Sequence, residues 1–399
     1  MEENLFVIIH NELMKILENG REWNDQEILE QIDELVLVHT RRTKMSVNEK
    51  ESLRKEIFYS VRKLDILQEL LDDDKVTEIM VNGYQDIFIE KSGKKIKWDK
   101  VFMSQEKLED VIQQIAGKCN RVINENSPIL DARLENGARV NAVVYPVALN
   151  GPILTIRRFP DHPITMEWLI EKKSISSEAA DFLRKMVTAG YSILIGGGTS
   201  SGKTTFLNAL SNYIPHDERI ITIEDSAELQ IQGIDNLVRL EAKPPNMEGN
   251  KEITIRDLIR TALRMAPNRI IVGEIRGAEA VDLLQAWNTG HNGSLGTAHA
   301  NSTRDMISRV ETMVLMGMQL PMEAIRRQIA SGIDLMVHLG RLPDRSRRVL
   351  EIAEILGYEH GEIRIQTLYG WDRKAACMYK VNDLFHREKL EGLCDETKL

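Results

Sequence analysis

Residues 192–208 read SILIGGGTSSGKTTFLN. Four residues, Ser192 to Ile195, form an apolar strand-like run, and Thr204 onward reads as the start of a helix. Between them Gly197-Gly198-Thr199-Ser200-Ser201-Gly202-Lys203-Thr204 fits the pattern G-x-x-x-x-G-K-[ST]. A strand before this pattern and a helix after it is the context that makes it a phosphate-binding loop. Glycines let the backbone wrap an anion with its N–H groups pointing inward. The helix N-terminus adds the positive end of its dipole. Lys203 is placed to reach the β- and γ-phosphates of a nucleoside triphosphate, and the Thr204 hydroxyl to meet Mg²⁺. The expected nucleotide contacts are Gly197, Gly198, Thr199, Ser200, Ser201, Gly202, Lys203, Thr204 and Thr205.

The surrounding chain repeats the alternation of strand and helix. AADFLRKMVTAG reads as a helix before the loop and KTTFLNALSNYI as one after it. RIITIED then reads as a strand, IRDLIRTALRM as a helix and RIIVGEI as another strand. Such alternation predicts a parallel sheet covered by helices, an α/β fold. Farther on, IDLMVHLGRL and RVLEIAEIL flank the turn PDRSR and predict an antiparallel hairpin.

Upstream the pattern changes. Residues 1–60 show helical spacing in LFVIIHNELMKIL and EILEQIDELVLV, with Asn24 or Asp25 able to cap the second helix. Residues 61–160 begin with a helix over VRKLDILQELLDD. Short strands follow in TEIMVNG, DIFIEKSG and KIKWD, then a helix and further strands in ARVNAVVYP and PILTIRRF. This predicts a helical module over 1–60, an α+β domain over 61–160, a linker over 161–175 marked by Pro160 and Pro163, the nucleotide domain over 176–358, and an extension over 359–399.

Composition limits the function classes. The chain has 399 residues, 52 Lys+Arg against 61 Asp+Glu, and a net charge of -9. Proteins that grip duplex nucleic acid draw most of their affinity from phosphate contacts, so this balance counts against a nucleic-acid partner. Three scattered cysteines, Cys119, Cys377 and Cys394, offer neither a disulfide framework nor a four-thiolate zinc site. With no apolar run near the ~18–20 residues of a membrane span and an acidic start unlike a signal peptide, the expected location is cytoplasmic.

The acidic strand ends carry the remaining chemistry. RIITIEDSAELQ runs an apolar strand into Glu224-Asp225, with Glu228 beyond; RIIVGE ends in Glu274. In phosphate-loop enzymes the strand corresponding to the latter usually ends in an acid that helps hold Mg²⁺, so Thr204 and Glu274 are the expected metal-side residues. The carboxylates divide between ordering the metal and activating water, and the residues alone leave open which does which. His291 and His299 lie in TGHNGSLGTAHANS, and His299 is the candidate γ-phosphate sensor. Arg133 and Arg139 in DARLENGARVNA, and Arg157 and Arg158 in TIRRFP, are candidates to reach nucleotide phosphate. Strand alternation puts Arg157 and Arg158 on opposite faces.

These motifs resemble the secretion ATPase superfamily, the motors of type II and type IV secretion and of type IV pili, with the closest likeness to the CpaF family of tight-adherence (Flp) pilus assembly. The likeness covers about residues 60–358 and includes VTEIMVNG, SPILDARLENGARVNA, PILTIRRFP, GGTSSGKTT, ITIEDSAELQ, IRDLIRTALRMAPNRIIVGEIRGAEA, TGHNGSLGTAHANS and the run ETMVLMGMQLPMEAIRRQIASGIDLMVH. The resemblance implies a RecA-like P-loop NTPase domain preceded by a smaller PAS-like α+β domain. It implies a Walker A loop at 197–204, an acidic box at 223–229 in which Glu228 is the favoured general base, Glu274 as an atypical Walker B residue, and His299 in a His box. It further implies ATP and Mg²⁺, catalytic roles for Lys203, Glu228, Glu274 and His299, and a homohexamer. The ring would push on an integral platform protein at the inner face of the cell membrane. Ala266 stands where the family commonly has Arg, KLDILQELL replaces the usual GLGPLEPLL entry, and the four-cysteine zinc element of some relatives is missing. A type IV secretion traffic ATPase and a nucleic-acid translocase are the alternatives.

Overall fold

A computed structural model describes residues 5–18, 21–41, 45–91, 93–158, 164–243 and 252–396. The chain divides into two compact units, residues 1–161 and 162–399. Pro160 and Pro163, the expected linker signals, lie outside the described residues.

The first unit opens with three helices: α1 (Leu5–Leu17), α2 (Asp25–Thr40) and α3 (Val47–Arg62). Asn24 caps α2 in a reciprocal capping box with Glu27. The helices share a core of Ile9, Leu13, Ile28, Ile32, Val36, Leu53 and Ile57. The third helix is not foreseen in the sequence, because its stripe is carried by few apolar residues among charged ones. The single helix expected over 61–73 is broken. Lys63 turns extended and Asp65 takes φ 53°, so α3 ends and a short α4 (Leu67–Asp72) starts afresh.

Next come β1 (Val76–Asn82), β2 (Ile87–Lys91), β3 (Lys94–Lys97), α5 (Gln105–Lys118), β4 (Ile129–Arg133), β5 (Arg139–Val143) and β6 (Ile153–Arg157). The strands form one antiparallel sheet in the order β3-β2-β1-β6-β5-β4. One face buries Ile79, Val81, Val140, Ala142, Leu154 and Ile156 with Leu108, Ile112 and Ile115 of α5. Because side chains alternate along a strand, the opposite face carries the remaining residues, with Ile129, Val143 and Ile153 at one end and charged residues at the other. There the register puts Arg133 opposite Arg139, Arg139 opposite Arg157, and Arg157 opposite Glu78.

The second unit contains α6 (Met166–Glu171), α7 (Ser177–Thr188), β7 (Ile193–Gly197), α8 (Lys203–Ser211), β8 (Ile220–Glu224), β9 (Leu237–Glu241), α9 (Ile255–Ala262), β10 (Arg269–Ile275), α10 (Glu279–Asn288), β11 (Leu295–His299), α11 (Thr303–Gly317) and α12 (Met322–Gly332). It closes with β12 (Leu335–Arg341), β13 (Arg347–Glu359), β14 (Glu362–Asp372), β15 (Cys377–Lys380) and α13 (Glu388–Glu396). A nine-stranded sheet runs β15-β14-β13-β12-β7-β11-β10-β8-β9. From β12 to β9 the strands are parallel. Ile193 and Ile195 of β7 face a core shared with α7 and α8, while Leu194 faces the core of α9 to α12. Burial on both faces explains why the central strands read as unbroken apolar runs.

The sheet does not stop at residue 358. The β12–β13 hairpin is antiparallel as expected, but β13 continues into β14 through a turn at His360 (φ 51°) and Gly361 (φ 87°). Two consecutive positive φ values suit a tight hairpin whose twist matches the strands. Buried Glu354 of β13 then accepts the backbone N–H groups of Phe385 and His386, both at 2.8 Å, fastening the C-terminal segment to the same unit.

The end of α11 rests on the start of α10. A Cβ on Gly317 would lie 2.5 Å from the Ala278 carbonyl oxygen and 2.9 Å from Val281 Cγ1. Gly317→Ala should therefore lower stability by about 1–3 kcal/mol, the usual cost of forcing extra volume into a packed contact. Urea denaturation of the full chain checks this, and an unchanged midpoint would contradict it.

Candidate nucleotide site

Parallel register assembles the site. Gly197, at the end of β7, pairs with His299 of β11 on one side and Leu339 of β12 on the other. The next strand, β10, shifts register between Val272 and Ile275, where Gly273 and Glu274 lie. Beyond it β8 ends at Glu224. The 197–204 loop, His299, Glu274 and Glu224 thus collect at the carboxyl ends of neighbouring strands, the usual ligand position in open α/β sheets.

The loop is tightly made. A Cβ on Gly197 would sit 2.4 Å from Ser201 Oγ and 2.6 Å from the Leu339 carbonyl oxygen, so only glycine fits. Ser200 and Gly202 have φ values of 58° and 94°. Such left-handed residues turn successive amides into an anion-binding concavity. Gly198, Thr199 and Ser200 are exposed, and nothing lies within 4 Å of a Cβ position on Gly198. Lys203 is 8% exposed; its Nζ donates to Gly198 O at 3.2 Å and lies 4.0 Å from Glu274 Oε1. Burial lowers its pKa, and the Glu274 charge opposes that shift. Ser201 Oγ is buried without a hydrogen-bond partner among the described residues. Exposed amides, a buried ammonium and an unsatisfied hydroxyl fit a polyphosphate. Thr204 and Thr205 are half-buried in the first turn of α8. The Thr204 hydroxyl and the Glu274 carboxylate are oxygen donors of the type Mg²⁺ takes, so these residues fit the metal expected with a nucleotide.

Glu274 is the hub. Its Oε1 lies 2.7 Å from His299 Nε2, and its Oε2 accepts from Arg276 Nε at 2.8 Å. Arg276 also donates to Asp225 Oδ2 at 3.2 Å. Burial, then the charge of Lys203, holds the His299 pKa below its ordinary 6.5. A lowered pKa favours the neutral imidazole at pH 7, and the Glu274 Oε1 beside it is buried without a hydrogen-bond partner among the described residues.

Glu224 does something different. It is 2% exposed, and its Oε2 accepts the backbone N–H groups of Glu228 at 2.7 Å and Leu229 at 2.9 Å. This folds residues 225–229 back over the strand end and leaves Glu228 half-exposed. A Cβ on Gly273 would come 3.0 Å from Glu224 Cγ, so the glycine before Glu274 makes room for Glu224.

Among the residues expected from sequence, Lys203, Glu274 and His299 meet directly, and Glu228 is anchored by its backbone to Glu224. His291 lies apart, before β11, with Nδ1 3.1 Å from Ala286 O. In the first unit Arg133, Arg139 and Arg157 share one row of the sheet. Arg158 faces the other way: its side chain is 9% exposed, lies 3.6 Å from Asp74 and donates to the carbonyls of Asp73 and Val76. Two further contacts reach the site. Arg276 stands two residues after Glu274, a spacing that returns a side chain to the same side of a strand and is a usable local signal. Arg347, whose Nε donates to Ser200 O at 3.0 Å, is 147 positions away and leaves no local signal.

The fold is mixed α/β, with this glycine-rich loop between β7 and α8. Residues 61–369 match the family described as Type II/IV secretion system protein, and the chain belongs to it. It is 32% identical over 314 residues to the conjugal transfer protein TrbB of Rhizobium radiobacter, covering 77% of this chain and 93% of that one. It is 34% identical over 315 residues to the type IV secretion system protein PtlH of Bordetella pertussis, covering 72% and 93%. Among solved structures, the pilus retraction motor PilT with bound ADP has a TM-score of 0.53 at 19% identity, covering 84% of this chain and 88% of that one; this is a likeness of fold. No helix among the described residues is long and apolar enough to cross a membrane.

Burial pushes the Glu224 pKa from its ordinary 4.5 up to about 7. Below 4.5 the group is protonated whether folded or unfolded; between 4.5 and about 7 the folded chain keeps a proton that the unfolded chain releases. Stability should therefore fall as pH rises through that window, by on the order of 1–3 kcal/mol. Glu224→Gln keeps the acceptor oxygen and removes the titration, so its urea stability should lose this slope. Parallel pH profiles for variant and wild type would contradict the assignment.

Proposed function

We propose that the chain is a Mg²⁺-dependent ATP hydrolase of the secretion ATPase type, built on a RecA-like domain with a PAS-like domain before it. The observation that carries the reading is the buried Lys203 ammonium beside a Glu274 carboxylate shared with His299. In this reading the loop amides and Lys203 bind the β- and γ-phosphates of the substrate. When bound, Mg²⁺ would be held on the side of Thr204 and Glu274 and would neutralise charge on the transferred phosphoryl group. Glu228 takes the proton of the attacking water, and Glu224 positions it through the backbone. Neutral His299, with Nε2 2.7 Å from Glu274 Oε1, senses the γ-phosphate from the adjacent strand.

The arginines of the first unit divide by face. Like charges directly opposite one another across a sheet repel. The row of Arg133, Arg139 and Arg157 is partly offset by Glu78 opposite Arg157 and by Asp131 3.8 Å from Arg139, and three aligned arginines suit a surface that meets an anion. These three are the proposed phosphate-neutralising arginines. Arg158, bonded to backbone on the buried face, is proposed to hold the start of β1 beside the end of β6.

The working form is proposed to be a homohexamer at the cytoplasmic face of the inner membrane, coupling hydrolysis to a membrane platform protein. Two settings are open to such a motor: CpaF-like pilus assembly and type IV secretion traffic. The names of the TrbB and PtlH relatives favour the second. Nucleic-acid translocation is disfavoured by the net charge of -9.

Two substitutions test the reading. Lys203→Ala should lose fluorescent ADP binding and phosphate release while keeping its unfolding transition. Glu228→Gln should bind nucleotide but release phosphate on the order of 100–10,000-fold more slowly, the usual loss when general-base help is removed. Wild-type turnover in Lys203→Ala would reject the site. Full turnover in Glu228→Gln with loss in Glu224→Gln would transfer the role to Glu224.

A further inference from the structure

Strand β13 begins with Arg347 and Arg348, which point to opposite faces. Arg347 crosses the β12–β13 hairpin from Arg341, an unfavourable like-charge pairing. Its Nε donates to the carbonyl of Ser200, the left-handed residue of the phosphate loop, at 3.0 Å. Its stem passes Gly202, where a Cβ would lie 3.4 Å from Arg347 Cδ. A peptide unit is planar and trans, so the carbonyl of one residue and the N–H of the next point in opposite directions. A guanidinium holding Ser200 O from outside therefore turns the Ser201 N–H into the loop. There it meets Gly198 O at 3.3 Å, the same oxygen that receives Lys203 Nζ.

The neighbouring residues of β13 reach a second segment. Arg348 donates to the carbonyl of Lys172 and lies over the Trp371 ring. The Val349 N–H donates to Ser174 O at 2.8 Å. Lys172 and Ser174 form the turn after α6, the first helix of the second unit. Three consecutive residues thus tie the phosphate loop to a turn near the start of the second unit.

We propose that Arg347 is a positioning residue for the phosphate loop, and that residues 347–349 form a strut that passes the loop's occupancy to the turn at 172–174. The proposal rests on the nucleotide-binding reading of the loop. Arg347 fixes the Ser200–Ser201 peptide, whose N–H closes the loop on Gly198 O, and does not itself take part in phosphoryl transfer. Loop closure around the phosphates pulls on Ser200 O, and the rigid start of β13 carries that pull to Lys172 and Ser174.

The test uses the full chain with fluorescent ADP titration and amide hydrogen exchange with and without ADP. In wild type, ADP should protect both the phosphate loop and residues 172–174. Arg347→Ala should weaken ADP binding about tenfold, the scale of one hydrogen bond to a charged group. At saturating ADP it should protect the loop but no longer 172–174. Arg347→Lys, which keeps a donor for the same carbonyl, should recover most of both effects. Arg348→Ala should bind ADP normally and lose only the protection at 172–174. A purely structural arginine would lower the thermal midpoint without this pattern. Wild-type affinity in Arg347→Ala, or ADP-dependent protection of 172–174 surviving in it, overturns the proposal. Absence of ADP binding by wild type overturns the underlying reading and the proposal with it.

Discussion

One half-buried carboxylate organises the candidate nucleotide site. Glu274 is 17% exposed and meets Lys203, His299 and Arg276, which arrive from α8, β11 and the end of β10. Coulombic attraction grows as water is excluded, and a charge buried without partners costs several kcal/mol. Lys203 is itself buried and donates to the Gly198 carbonyl, a neutral acceptor, so the Glu274 charge sustains the ammonium that the loop needs. His299 lies against the same charge, its Nε2 2.7 Å from Oε1.

That arrangement follows from the sheet. In a parallel sheet, strand order decides which loop tips become neighbours. β11 lies between β7 and β10, bringing His299 level with the phosphate loop and one strand from Glu274. The register shift at Gly273-Glu274 and the close approach of Glu224 to Gly273 show two acidic strand ends sharing little space. Glu224 gives its oxygen to backbone amides, and burial keeps its proton affinity high. The two acids are thus distinguished by environment: one supports the backbone, the other faces the cationic groups.

Much of this is legible in the amino-acid sequence. The phosphate-loop pattern, the central strands, and His299 and Glu274 as strand-end residues all lie in short local stretches. What stays hidden depends on register and distance. A row of arginines on three strands needs the antiparallel pairing of β4, β5 and β6, which no single strand encodes. The C-terminal boundary expected at 358 is too early although EIRIQTLY alternates like a strand, because His360-Gly361 reads as an ordinary loop until both residues are seen at positive φ. The helix at 47–62 has too thin an apolar stripe to stand out, and the break at Asp65 is a left-handed residue of a type that needs no glycine.

The most direct measurement is steady-state phosphate release from Mg·ATP by wild type and Glu274→Gln, alongside fluorescent ADP binding by both. The account predicts turnover by wild type, and binding without measurable turnover by the variant, because the carboxylate that holds His299 and faces Lys203 has lost its charge. A wild-type protein that binds no nucleotide, or a Glu274→Gln protein that releases phosphate at the wild-type rate, would contradict it.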